Sequence, residues 1–207
     1  MLFRSLQFGF IKNRSTSEAL ICLTEGIYNS LENKESAVLL LLDLTKAFDT
    51  IDHGILLKKL SLMGFEGTNL QWFQSYLLNR RQHVKVGDSI STSLETKTGV
   101  PQGSILGPLL FTLYANDLPR CHDAFSISYA DDISILIKDK NLTNLSKKTE
   151  NILASIINWL EANKLSLNLL KTSYIIFSNK HIDENFSIKM NGSEITKSKY
   201  EIGRAHV

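Results

Sequence analysis

The sequence predicts an α+β domain, a largely antiparallel sheet flanked by helices. Three observations carry that prediction. Ala37 to Leu44 is apolar without a break except at Asp43 and is bounded by the polar turn Asn33-Lys34-Glu35-Ser36, which reads as a short strand buried on both faces. Ser126 to Ile137 sets two β-branched-rich runs on either side of Asp131-Asp132, which reads as a hairpin with the acidic pair at its bend. Helical periodicities interleave with these strands, but without the regularity of successive βαβ units.

The elements follow in order. Ser15 and Glu18 form a capping-box pattern ahead of a helix over Ala19 to Leu31, with Leu20, Leu23, Ile27 and Leu31 as its stripe. After the strand ending near Leu44, Asp52 or His53 opens a helix carrying Ile55, Leu56, Leu60 and Met63, which stops near Gly64. Leu70 to Leu78 is a third helix with Trp72, Phe73 and Tyr76. His83 to Val86 and Ile90 to Thr96 form a hairpin about Gly87-Asp88. Gly99 to Ser104 is a loop. Ser104 starts a helix to about Asn116, with Leu106, Leu109, Leu110 and Leu113 on one side and Pro108 in its early turns, where a missing N–H is tolerated. Asn141 to Leu160 is a long amphipathic helix, Tyr174 to Phe177 a strand, and Asn191-Gly192 the turn of a last hairpin.

Composition bounds the function. With 207 residues, 43% hydrophobic and 21% charged, the chain holds one sizeable domain, or a domain plus part of another, and is not disordered as a whole. A net charge of +2 neither demands nor excludes nucleic acid. Cys22 and Cys121 have no metal or redox spacing and suit buried thiols of a reducing compartment. The longest apolar run is too short to cross a bilayer, and Arg4 interrupts any signal-like start. The expectation is an intracellular protein without a membrane partner, nucleus or cytoplasm left open.

The chemistry lies in the acids. Two adjacent carboxylates at a bend repel unless a positive charge sits with them, and hard oxygen donors suit a divalent cation such as Mg²⁺. If Asp43 ends a strand beside the hairpin, three carboxylates converge at one sheet end. Two cations there would stabilise the attacking and leaving oxygens of a phosphoryl displacement.

The motifs resemble those of a reverse transcriptase of the non-LTR (LINE-like, jockey-like) retrotransposon type. Gln7-Phe8-Gly9-Phe10 with Arg14-Ser15-Thr16 is similar to the family's fingers motif. Leu42 to Asp49, with His53, resembles motif A. Gly99-Val100-Pro101-Gln102-Gly103-Ser104, continuing to Asn116-Asp117-Leu118, resembles motif B. Tyr129-Ala130-Asp131-Asp132 matches motif C, and Trp159 to Thr172, then Phe177, motif D. The resemblance implies a polymerase palm over 37–59 and 101–200 with partial fingers over 1–36 and 60–100. It implies two Mg²⁺ ions (Mn²⁺ as a substitute), an RNA template, a DNA primer and dNTPs.

Roles then carry over residue by residue. Asp43 and Asp131 would be the main metal ligands, with Asp132 less directly bound and the Leu44 carbonyl adding an oxygen. Phe48 matches the gate against a ribose 2′-OH; together with Ala130 before the acidic pair it favours DNA synthesis over RNA synthesis. Gln102 and Gly103 would line the nucleotide site. Arg14 and Lys12 would neutralise the triphosphate. Lys171 would stand near the pyrophosphate as general acid or electrostatic stabiliser. Tyr129 would support the primer end. His53 reads as a packing or capping residue and Arg80-Arg81 as an exposed basic pair.

The family's primer-grip motif would follow Tyr200, but residues 201–207 match no family motif and resemble a sequencing adapter translated in frame. The expectation is a non-native tail on a fragment lacking the endonuclease and thumb regions of its polyprotein, and inactive alone. Two alternatives stand beside this: a decayed or domesticated nucleic-acid-binding relic, and a group II intron or retron-type enzyme.

Overall fold

A computed structural model describes residues 6–183, 186–190 and 192–198. Tyr200, the proposed tail and Asn191 lie outside them. The chain runs β1 (Leu6–Gln7), α1 (Thr16–Glu32), β2 (Ser36–Leu42), α2 (His53–Leu62), α3 (Gly67–Leu77), then four short strands, β3 (Arg81–Gln82), β4 (Lys85–Val86), β5 (Ser89–Ile90) and β6 (Leu94–Glu95). It continues through α4 (Leu106–Ala115), a 3₁₀ turn (Leu118–Arg120), β7 (Phe125–Tyr129), β8 (Asp132–Asp139), α5 (Leu142–Ala162), β9 (Ser173–Phe177), β10 (Lys189–Met190), β11 (Ser193–Glu194) and β12 (Thr196–Lys197).

One six-stranded sheet organises these elements, in the order β1-β7-β8-β2-β9-β12. Its four central strands are antiparallel, as expected, whereas the two-residue edge strands β1 and β12 pair in parallel. Strands that short carry no alternation, so their direction has no signature in the sequence.

The sheet is covered on both faces, which is why β2 reads as an unbroken apolar run. Val38, Leu40 and Leu42, with Ile133, Ile135 and Ile137 of β8, enter the large core shared with α2, α4 and α5. Ala37 and Leu39, with Leu136 of β8, face the smaller core under α1. The capping box of α1 forms as predicted, but its buried face is Ala19, Leu23, Ile27 and Ser30, with Leu20 turned outward. The cause is close approach: a Cβ on Gly26 would stand 2.7 Å from Leu136 Cδ2, so α1 lays its small residues on the sheet.

Two other expectations shift. The helix of the third motif starts at Leu106 because Ser104 is spent on the loop, its hydroxyl donating to Pro101 O and accepting from Gly107 N–H. Leu109 is exposed, and the buried side is Leu110, Phe111, Leu113 and Tyr114. The hairpin about Gly87-Asp88 forms as β4–β5, but the second strand is not continuous. Lys85 pairs with Ile90 and Arg81 with Glu95, so one extra residue bulges out between β5 and β6. Both cysteines are unpaired and half-buried. Among the described residues, no helix is long and apolar enough to cross a membrane.

Candidate active site

The register of three strands builds the site. Leu42 is the last residue of β2 and lies opposite Ile133. Asp43 is the next residue after the paired stretch and Asp132 begins β8, so both stand at this end of the β2–β8 pair. On the other side of β8, Tyr129 pairs with Asp132, which leaves Ala130-Asp131 as a two-residue bend. Ala130 takes φ +57°, a left-handed conformation uncommon for a residue with a Cβ. The end of β2 and the acidic bend, remote in sequence, therefore share one end of the sheet. The donor chemistry at this end, hard carboxylate oxygens, fits magnesium.

The side chains are less gathered than the backbone. Among the described residues, no three Asp, Glu, His or Cys side chains stand close enough to hold an ion together. Asp43 Oδ2 lies 3.7 Å from Lys171 Nζ. Lys171 reaches it through a turn in which the Lys171 and Thr172 N–H groups both donate to Asn168 O. The same segment bonds the chain around Asp43: Asn168 N–H donates to Asp43 O at 2.8 Å, and Thr45 N–H to Ser166 O at 2.8 Å. That pair of bonds flanks the Leu44–Leu167 bridge and makes no use of the Leu44 carbonyl.

The acidic bend is supported from its other side by the segment before α1. β1 runs parallel to β7, and Phe8 N–H donates to Ser128 O at 2.8 Å. A Cβ on Gly9 would stand 2.2 Å from Ala130 N, so only glycine fits there. Arg14 is anchored with its guanidinium 5.0 Å above the Phe8 ring. Lys12 is exposed on the same loop, and Tyr129 is partly exposed beside Asp132.

The chain after Asp43 is stitched to the Pro-Gln-Gly loop. Val100 N–H donates to Phe48 O, Gly99 N–H to Ile51 O, and the Thr98 hydroxyl to Asp49 O. Buried His53 donates through Nε2 to Gly99 O at 2.7 Å, a packing role as expected. Gln102 Nε2 donates to Asp49 Oδ1 at 2.7 Å. Gly99 has φ +83°, and a Cβ there would meet Asp49 O at 2.7 Å; Gly103, at φ +76°, faces open space. Asp52 caps α2 by accepting from Ile55 N–H and pairs with Lys164 at 2.7 Å; that lysine and the backbone donors hold its carboxyl below the usual value. The Phe48 ring contacts Phe111, 4.9 Å away, and Phe10, 6.4 Å away.

The fold thus brings Asp43, Lys171, Asp131 and Asp132 to one sheet end, with Arg14 anchored on Phe8 next to β7. Phe48, Gln102 and Gly103 belong to the adjoining stitched unit. Arg80 and Arg81 lie at the base of the exposed ribbon, where Arg81 donates to Ser93. Sequence reasoning missed Gly9, Gly99 and Asp49. Only Asp49 carried a local signal, as a second Asp closing the first acidic motif.

Comparison with known proteins identifies the family. The model of the family "Reverse transcriptase (RNA-dependent DNA polymerase)" matches residues 1–199. The chain is 33% identical over 175 residues to "Probable RNA-directed DNA polymerase from transposon BS" of Drosophila melanogaster, covering 80% of this chain and 19% of that protein. It is 32% identical over 182 residues to "RNA-directed DNA polymerase from mobile element jockey" of the same fly, covering 84% and 20%. It therefore spans about a fifth of the length of these relatives. In fold it is similar to telomerase from Candida albicans, solved in complex with a TWJ fragment of telomeric RNA. That match has a TM-score of 0.63 at 18% identity, over 93% of this chain and 34% of that one. By sequence and by fold, the chain belongs to the reverse transcriptase family.

Proposed function

We propose that the protein is the RNA-directed DNA polymerase of a non-LTR mobile element and that this chain is its palm with part of its fingers. The observation that supports the reading is the antiparallel β2–β8 register, which ends with Leu42 opposite Ile133, one residue short of Asp43 and of Asp132. Similarity to mobile-element polymerases points to an RNA template, a DNA primer and dNTPs as its partners.

Asp43 and Asp131, with Asp132 and the Leu44 carbonyl, would hold two Mg²⁺ ions, whose charge lowers the primer hydroxyl pKa and offsets charge on the phosphates. The chain's own residues do the rest. Arg14, with Lys12, carries positive charge toward the triphosphate. Phe48 excludes a 2′-OH by filling its space. Gln102 and Gly103 wall the nucleotide, with Gln102 held by Asp49. Tyr129 supports the primer end. Lys171, whose Nζ stands 3.7 Å from Asp43 Oδ2, would serve near the pyrophosphate as general acid or electrostatic stabiliser.

Primer extension on an RNA template with Mg²⁺ tests the reading, using this chain alone and the protein's full reading frame. Extension by the full frame, lost in Asp131→Asn with the fold intact, is the expected result. Undiminished extension by that variant overturns the assignment.

A further inference from the structure

Phe10 is an aromatic residue in the wrong conformation and the wrong place for an ordinary core residue. Its φ is +60°, a region where a bulky side chain is an outlier, and it is 59% exposed. Burial does not explain it. The contact it makes does: its ring meets Phe48 at 6.4 Å between centroids and 84° between planes, an edge-to-face pair.

The backbone delivers Phe10 to that point. Phe8 is bonded to Ser128, and Gly9 is pressed against Ala130 N, so the residue that follows has little freedom. The Phe48 ring also packs against Phe111 of α4, a buried core residue, at 4.9 Å and 41°. Phe48 is thus held by the core through Phe111 and by the segment before α1 through Phe10. The short segment that braces the acidic bend through Gly9 also braces the aromatic ring through Phe10.

We propose that Phe10 is a positioning residue for Phe48 and thereby sets how strongly the protein discriminates deoxyribonucleotides from ribonucleotides. The proposal rests on the reading of Phe48 as the sugar gate. A half-buried ring with one free side can swing outward about χ1, and the space it vacates accepts a 2′-OH. The left-handed Phe10 keeps that side closed.

The test is single-nucleotide addition by the full reading frame, measured as kcat/KM for a dNTP and its matching rNTP. In Phe10→Ala the ribonucleotide value rises and the dNTP/rNTP ratio falls by roughly three- to tenfold, the size of one aromatic edge contact. Phe10→Tyr, which keeps the ring edge, restores the ratio, and Phe48→Val lowers it further than Phe10→Ala does. A ratio unchanged in Phe10→Ala while Phe48→Val collapses it overturns the positioning role and leaves the gate standing. A ratio unchanged in Phe48→Val sinks the gate and this proposal together. A second readout needs no turnover. 4-Fluorophenylalanine at position 48 gives one ¹⁹F resonance, which shifts and broadens in Phe10→Ala; a resonance that stays put overturns the proposal whatever the kinetics.

Discussion

The acidic end of the sheet and the ribbon of β3 to β6 are built in opposite ways. At the acidic end, segments remote in sequence are held together: residues 8–9 to 128–130, and residues 43–53 to both 98–102 and 166–168. The ribbon is bonded chiefly to itself, through β3–β6 and β4–β5. It leaves Val84, Val86 and Leu94 at 66%, 73% and 66% exposure. A two-stranded ribbon without a core is marginal by itself. The backbone around the acidic residues is thus held by bonds to other segments, while the ribbon is not. The same substitution should have very different effects in the two places.

The largest expected effect is chemical. Asp43→Asn or Asp131→Asn should lower primer extension by about a thousandfold or more, the scale seen when a group that stabilises transition-state charge is removed. Thermal unfolding should stay within about 1 kcal/mol, because neither carboxylate is in the core. Loss of activity accompanied by unfolding would show that these acids hold the structure rather than act in it.

Glycine gives the direct test of the contrast. Gly9→Ala drives a Cβ to 2.2 Å from backbone at Ala130, in a tight bend held at both ends by the Tyr129–Asp132 pair, where there is little room to give way. A loss of about 3 kcal/mol is expected, together with extension, since the displaced neighbour is the acidic bend. Gly87→Ala, at φ +58° with nothing within 4 Å, should cost only about 1 kcal/mol and leave extension intact. Equal losses measured by chemical denaturation would erase the distinction between a stitched corner and a free ribbon. Side chains repeat the pattern at smaller scale: Leu40→Ala, in fully buried β2, should cost about 3 kcal/mol, and Val86→Thr less than about 0.5 kcal/mol.

That contrast also explains what could be read from the sequence. β2, the β7–β8 hairpin and α5 were legible because burial on both faces, alternation and helical spacing are each local patterns. The convergence of Asp43 with Asp131 and Asp132 was an inference from motif order, since register between remote strands has no local signature. Gly9 and Gly99 were unreadable for the same reason: their need for glycine comes from Ala130 and Asp49, 121 and 50 residues away. Leu20 and Leu109 misled because leucines at helical spacing offer two faces, and the packing partner decides which one is buried. In the ribbon, alternating valines suggested a long hairpin, and the bulge that breaks it depends on no residue type.

Titration offers the finest separation, since the two kinds of structure should fail in different pH windows. Asp52 caps α2 and bridges to Thr98 within the stitched unit, and Lys164 lowers its pKa from the ordinary 3.8. A carboxyl depressed on folding stabilises above its unfolded pKa, so this support is complete at neutral pH and is lost as pH falls below about 4. His122 stands in the turn leading to β7, where burial pushes its pKa below 6.5 against smaller opposing effects of the Ala124 backbone and the Asp123 charge. Protonation costs more there than in the unfolded chain, so stability should begin to fall as pH drops through about 6.5. His122→Gln should flatten the melting temperature between pH 7 and 5 and leave the step below pH 4 in place. Lys164→Met should do the reverse. A single acid transition unchanged by either variant would mean that neither group reports on its own surroundings, and the stitched corner would then have no separate electrostatic support.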